Sequence, residues 1–241
     1  MKKLFLLDAY ALIYRAHYSL VSRPLINSKG MNTSAIFGFV GTLLDVLQKE
    51  QPTHIGVAFD LDTPTFRHEL FADYKANREE QPEDIAIAVP QIKRLLPLLG
   101  ITGVELEGYE ADDVVGTLAL QAAADGFEVY MMTPDKDYGQ LLISDQIKLY
   151  KPARFGNAIE IMGTQEVLDK WSIERISQVV DMLALQGDAV DNIPGVRGIG
   201  EKTAQTLLKS YGSVEGIYAN IDKLPERQRK MLLDGKENAL L

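Results

Sequence analysis

The chain is predicted to be an α/β protein, with a parallel sheet carrying helices on both faces followed by a small all-helical module. Three observations support this. From residue 1 to about 165, apolar strand-length runs alternate with segments of helical spacing, the order expected of repeated β-α-β units. From Ser172 the strand signal vanishes, leaving helical segments joined by Gly- or Pro-containing turns. A hydrophobic share of 46% and a charged share of 24% over 241 residues are ordinary globular values, enough for one large and one small domain. The predicted domains are 1–171 and 172–241.

The elements follow in order. The apolar run KKLFLLD is a buried strand, and AYALIYRAHYSL after it has helical spacing. Thr33 or Ser34 caps AIFGFVGTLLDVLQKE, and Pro52 closes that helix before the strand HIGVAFD. EDIAIAVPQIKRLLPLL is expected to be helix interrupted at Pro90, with Gly100 ending it and a short strand near ITGVEL. A helix from Glu110 to Asp125 is ended by Gly126, and FEVYMMT is the next buried strand. Short strands near IKLY and AIEIM finish the layer. In the second domain IERISQVVDMLALQGD, GEKTAQTLLKSYG, VEGIYANI and LPERQRKMLLDG are all helical. The last segment, ENALL, runs off without a C-cap, which favours a fragment of a longer protein.

Nine carboxylates in five stretches carry the chemistry: Asp8; Asp60; Glu110 with Asp112 and Asp113; Asp135 with Asp137; and Asp188 with Asp191. Three of these groups end runs that read as buried strands. In an open parallel sheet the carboxyl ends of the strands form the crevice where ligands bind. Any one acid has a bland reading, since Asp8 or Asp60 alone is an ordinary N-cap. Three acids opening one helix exceed what its dipole needs, and Glu110 and Asp113 share a face where like charges repel. Converging acids without matching cations repel strongly. Divalent metal is the simplest compensation, and oxygen-only ligands suit Mg²⁺ or Mn²⁺. The surplus of acids points to two ions, the arrangement that clamps attacking and leaving oxygens in phosphodiester cleavage. The chain therefore reads as a metal-dependent nuclease.

Two further groups fit a nucleic-acid substrate. FDLDTPTFRHELFADYKANR sets Lys75 and Arg78, with Arg67 nearby, downstream of Asp60. Cations there suit a scissile phosphate, although a lone Lys is by default a solvated surface group. The run from Gly195 through Gly198 and Gly200 to Lys202 and Thr203 has the look of a dinucleotide fingerprint. That reading requires a preceding strand, and DAVDNIP is loop. A Gly-rich hairpin between helices fits better, binding DNA phosphate through backbone N–H groups without reading sequence. Lys202 and Lys209 add charge. Tyr14 and Tyr18 lie one turn apart on the first helix. Such rings are usually core, but a ring at the mouth of a nuclease stacks a base.

Composition narrows the alternatives. The net charge of −9 argues against a polyanionic substrate until the nine clustered acids are set aside, which leaves 25 acids against 25 Lys and Arg. The absence of cysteine excludes disulfides, thiol catalysis and Cys-ligated zinc, and three scattered His do not make a metal site. Lys2 and Lys3 precede too short an apolar run for a signal peptide, and no stretch approaches a membrane span, so a soluble, cytoplasmic protein is expected.

With these residues assembled, the chain resembles the 5′-nuclease domain of bacterial DNA polymerase I, within the flap endonuclease family. The matching stretches are LLDAYALIYRAHY, FDLDTPTFRHELFADYKANR, YEADDVVGTLA, PDKDYGQL and LQGDAVDNIPGVRGIGEKTAQTLL, in the family's order. The resemblance implies a PIN-like α/β domain, a helix–three-turn–helix module and cleavage of branched DNA near the base of a 5′ flap, RNA/DNA primer ends included. It implies that the nine carboxylates hold two metal ions, that Lys75 and Arg78 are the phosphate-activating cations, and that Tyr14 stacks on the scissile nucleotide. It further implies that the Gly195–Lys202 hairpin binds duplex and takes a K⁺ ion, and that the chain is a monomer, with a polymerase as its companion in a longer protein. The chain departs from the pattern at Pro134, at Asp62 and in the acidic stretch REEQPEDIAIAV.

Three other readings compete. A catalytically weak branched-DNA-binding module would have lost acids, and all nine are present. A PIN-type ribonuclease would end after the α/β domain. A phosphohydrolase with Asp8 as nucleophile would want an Asp where Tyr10 stands.

Overall fold

A computed structural model of the protein describes residues 2–152 and 158–241. In chain order it contains β1 (Lys3–Asp8), α1 (Ala9–Ser19), α2 (Ser34–Lys49), β2 (His54–Ala58), α3 (Phe66–Leu70), α4 (Glu83–Leu98), β3 (Thr102–Val104), α5 (Ala111–Ala124) and β4 (Glu128–Met132). A 3-10 turn over Asp137–Leu141 leads to β5 (Ile147–Lys151) and β6 (Glu160–Met162). The remainder is α6 (Thr164–Trp171), α7 (Gln178–Gln186), α8 (Glu201–Tyr211), α9 (Val214–Ala219), a 3-10 turn over Ile221–Lys223, α10 (Glu226–Asp234) and α11 (Lys236–Ala239). These form two compact units, one of Met1–Thr65 with Glu80–Gly163, the other of Phe66–Glu79 with Thr164–Leu241. The stretch 66–79 therefore groups with the helices of the second unit.

In the first unit the six strands are ordered β3-β2-β1-β4-β5-β6. Every pairing is parallel except the last, where β6 runs antiparallel to β5. The link from Lys151 to Glu160 has fewer residues than the dozen or so that a parallel crossover needs, in keeping with the antiparallel pairing of β6. Alternate residues of the central strands (Phe5, Leu7, Val57, Phe59, Tyr130 and Met132) point into one core. They meet Ile13 of α1, Phe39 and Leu43 of α2, and Ile85, Ile92 and Leu96 of α4. Each of these larger side chains contributes about 1.5–3 kcal/mol on burial. α5 packs on the same strands through Val114, Val115 and Ala119, which are buried outside that core cluster and so cover the opposite face.

One expectation about α4 is corrected. Pro90 does not interrupt it, and a single helix runs through both Pro90 and Pro97. A proline inside a helix removes a bond to the carbonyl four residues back. Here that carbonyl is on Ala86, which like Pro90 is exposed, so water replaces the lost donor while Ile85, Ala88, Val89 and Ile92 stay buried on the other side.

The second unit is held by buried polar ties as well as apolar contacts. Gln178, 1% exposed, accepts from the backbone N–H of Glu174 at 2.8 Å and donates to the carbonyl of Gly212 at 2.8 Å. This ties the start of α7 to the end of α8. Asp181 accepts from the N–H of Val214 at 2.9 Å and fixes the entry to α9. Between α7 and α8, Gly187 and Gly195 lie back to back. A Cβ on either would come within 2.4 Å of the other's backbone neighbourhood, and both have positive φ, so only glycine fits.

Candidate active site

β1 lies between β2 and β4, and successive strands leave it in opposite directions. This is the topological switch point of the sheet, where the carboxyl ends of the strands open a crevice. Asp8 is the last residue of β1, Asp60 lies just past β2, and Thr133 to Asp135 follow β4. One Asp8 oxygen accepts from the N–H of Ala11 at 3.1 Å, so the capping reading holds too. Its other oxygen accepts from the hydroxyl of Thr133 at 3.1 Å. That hydroxyl, wholly buried, accepts in turn from the N–H of Asp135 at 3.2 Å. Asp135 accepts from the N–H of Asp137 at 2.9 Å, and Asp60 from the N–H of Ala111 at 2.8 Å. Glu110 and Asp113 form a capping box at the start of α5, with the N–H of Glu110 donating to Asp113 at 2.9 Å.

These donors are backbone N–H groups and the Thr133 hydroxyl, all neutral, and Asp8 faces the like charges of Asp60 and Asp135. Burial pushes the Asp8 carboxyl up to about 6 from an ordinary 3.8, and the charges of Asp60 and Asp135 push the same way against its bonds to Ala11 and Thr133. Tyr138, 3% exposed in the turn after Asp137, shares this environment. Burial raises its phenol well above the ordinary range, and Asp8, Asp112, Asp135 and Asp60 add to the effect. Its hydroxyl is buried and has no hydrogen-bond partner among the described residues. As they stand, no three acidic or His side chains among the described residues surround one point as a cation's ligands would. The donor set is nonetheless all oxygen, and like charges with an orphaned hydroxyl between them suit a hard divalent ion with its water.

In the second unit Asp191 is compensated where Asp8 is not. It accepts from Arg78 at 2.7 Å and from the phenol of Tyr74 at 3.1 Å, and the ammonium of Lys75 stands 3.9 Å away. The carbonyl of Asp191 accepts from the N–H of Lys75 at 3.0 Å. Lys75 has φ +56°, an uncommon value for a non-glycine, and its ammonium lies 4.8 Å from the ring centre of Tyr74. Asn77 donates to the carbonyl of Ala189 at 2.8 Å, and Asn192 to that of Asp73 at 2.7 Å. The stretch 66–79 is thus buckled onto the loop 188–192. Asp188 closes that loop through paired backbone bonds with Ile193. Arg67, on α3, places its guanidinium 4.6 Å from the Phe66 ring centre.

The hairpin before α8 is built as the sequence suggested. Val196 and Ile199 are buried, while Arg197, Gly198, Gly200 and Lys202 are exposed, and Gly200 caps α8 with no side chain over the free N–H groups. Gly198 has φ +90°, and a Cβ there would meet the Met231 methyl at 2.4 Å. A larger residue at 198 must therefore displace the end of the Met231 side chain, and its positive φ strains any residue but glycine. Thr203 is half-buried with its N–H bonded to Gly200. Tyr14 is half-buried and extends a ladder from Tyr10 to Tyr18, with ring centres 6.4 and 6.2 Å apart. Tyr18, at 57%, is the exposed rung.

Sequence reasoning missed Thr133 and Tyr138, with Tyr74 seen only as the start of the run that carries Lys75 and Arg78. Thr133 ends a buried strand with a hydroxyl, a weak signal. No pattern in sequence marks Tyr138 as buried.

Comparison with known proteins agrees with this architecture. Residues 3–172 match the N-terminal resolvase-like domain of the 5′-3′ exonuclease family, and residues 175–241 its C-terminal SAM fold. The 5′-3′ exonuclease of Aquifex aeolicus is 41% identical over 92% of this chain and 74% of that protein. DNA polymerase I of Bacillus caldotenax is 42% identical over all of this chain, which spans 27% of that protein's length. Among solved structures, the T5 D15 protein co-crystallised with metal ions superposes with a TM-score of 0.76 at 20% identity, over 99% of this chain and 87% of that one. The catalytic core of Rad2 in complex with a DNA substrate gives 0.62 at 18% identity, over 98% and 74%.

Proposed function

We propose, from the premise that this chain belongs to the 5′-3′ exonuclease family, that it hydrolyses DNA phosphodiesters at 5′ ends and 5′ flaps. The observation that carries the reading is the group of carboxylates at the switch point, where the charges acting on buried Asp8 are like charges. The proposed ligands there are Asp8, Asp60, Glu110, Asp112, Asp113, Asp135 and Asp137, with Asp188 and Asp191 retained on the resemblance of their run. Two Mg²⁺ or Mn²⁺ ions, when bound, supply an acidified water and charge for the departing oxygen. Metal ions in the T5 D15 crystals and the DNA substrate bound to Rad2 support the same chemistry.

The chain's own residues do the rest. Thr133 holds Asp8 and the Asp135 backbone in fixed relation. Asp191 keeps Lys75 and Arg78 together and oriented before a scissile phosphate replaces it as their anion. Tyr14 stacks a base, and Arg67 meets the backbone of the strand. The hairpin from Gly195 to Lys202 takes duplex phosphates on exposed N–H groups, with K⁺ as a bridging ion. Lys202→Ala should lower the salt slope of duplex affinity by about 1 and leave sequence preference unchanged. Primer ends of RNA/DNA are within the proposed substrate range. No helix among the described residues is long and apolar enough to cross a membrane, and a cytoplasmic monomer is proposed. The length of the DNA polymerase I relatives supports fusion to a polymerase.

The test is a labelled 5′-flap DNA incubated with Mg²⁺ and with EDTA, mapping the products. Cleavage near the flap base with Mg²⁺ alone is expected. Full activity in EDTA, or binding without cleavage under every metal, would sink the reading.

A further inference from the structure

The Tyr138 hydroxyl is a buried donor that the described residues leave unused. The side chain is 3% exposed, and no described residue accepts from its oxygen. Buried Tyr hydroxyls usually find a partner, and one left without costs about 1–3 kcal/mol. A Phe would fill the same space without that cost. Four carboxylates act on the phenol, those of Asp8, Asp112, Asp135 and Asp60, yet none lies within hydrogen-bond reach. The hydroxyl therefore lies in the field of acceptors that it does not bond.

We propose that Tyr138 is a positioning residue of the carboxylate cluster, whose hydroxyl donates to a hydration water of a divalent cation held there. This rests on the metal-dependent reading above and extends it to a residue that no part of that reading uses. A phenol is protonated at neutral pH and has one hydrogen to give. The acceptor must be an oxygen that arrives with the ion, because the cluster's own oxygens stand too far off. Fixed in this way, the water is held in one orientation among the acids. Outer partners of this kind typically account for 10–100-fold in metal affinity. The turn that carries Tyr138 packs against α5, where a Cβ on Gly116 would lie 3.2 Å from Leu141.

Tyr138→Phe removes the hydroxyl and keeps the ring. Mn²⁺ affinity of the DNA-free protein, read by electron paramagnetic resonance, should weaken about tenfold. The Mg²⁺ concentration giving half-maximal single-turnover cleavage should rise by the same factor. Melting without metal should be unchanged or slightly higher, because an unpartnered buried donor is gone. Tyr150→Phe serves as control, since its phenol bonds Glu50 at 3.1 Å, and it should leave Mn²⁺ affinity unchanged. Wild-type Mn²⁺ affinity in Tyr138→Phe would reduce Tyr138 to packing or to an ordinary buried water, and would leave the metal-dependent reading standing. If the wild-type protein itself bound no Mn²⁺, both would fall together.

Discussion

Asp8 and Asp191 are both half of an electrostatic arrangement, but only one arrangement is complete. Asp8, deep in the sheet unit, faces the like charges of Asp60 and Asp135, and burial holds its carboxyl at about 6. Asp191, in the helical unit, accepts from Arg78 and Tyr74 and lies near Lys75. Asp191 is balanced by cations of its own chain, whereas the charges that act on Asp8 are like charges. That difference separates the proposed cation site from a clasp that holds two of the chain's own cations. Like charges kept together without a bound partner are a cost to stability accepted for function.

Four substitutions test the contrast. The largest effect is expected from Asp135→Asn, which should lower cleavage roughly 10³-fold while DNA affinity changes only a few-fold. Gel-shift and single-turnover assays on one flap substrate check it, and unchanged turnover would remove Asp135 from the chemistry. Lys75→Ala should lower single-turnover cleavage roughly 10²-fold with affinity within a few-fold. Equal losses in both would make Lys75 a simple electrostatic contact. Asp8→Asn acts on stability. A raised carboxyl pKa means the folded chain binds its proton more readily than the unfolded one, so the stabilising contribution is present below 3.8 and lost as pH rises through about 6. The metal-free variant should therefore melt higher than wild type at pH 7.5, by at most about 3 kcal/mol, with the gain vanishing near pH 4. A lower melting point at pH 7.5 would mean that the hydrogen bonds to Asp8 outweigh its burial. The smallest effect, of opposite sign, belongs to Asp191→Asn. It should cost about 0.5–1 kcal/mol, because Arg78 is half exposed and screened by solvent. A gain in stability there would erase the distinction between the two sites.

Asp8, Asp60 and the Asp135–Asp137 pair were legible in sequence because each follows a buried apolar run whose period fixes where the strand ends, and Glu110, Asp112 and Asp113 because three acids crowd one helix start. The same logic located α5 and the Gly-rich hairpin. Pro90 misled because its effect depends on whether Ala86 faces water, which periodicity does not report. The reversal of β6 is in keeping with the length of one connection. Tyr138 sits in a 3-10 turn too short to have a pattern, so its burial is a tertiary fact. The attachment of 66–79 to the helical unit was hidden for another reason. Its partners are over a hundred residues away, as with the 113 separating Arg78 from Asp191.

That separation has a consequence for the timing of synthesis. At 5–20 residues per second, Arg78 is made roughly 6–20 s before Asp191. Through that interval the nascent chain carries Lys75 and Arg78 without the carboxylate that later holds them, while every strand of the sheet is completed by Met162. The sheet unit has all its strands well before the buckle can close. The carboxylates at the strand ends are therefore in place on the ribosome before Lys75 and Arg78 acquire the partner that orients them.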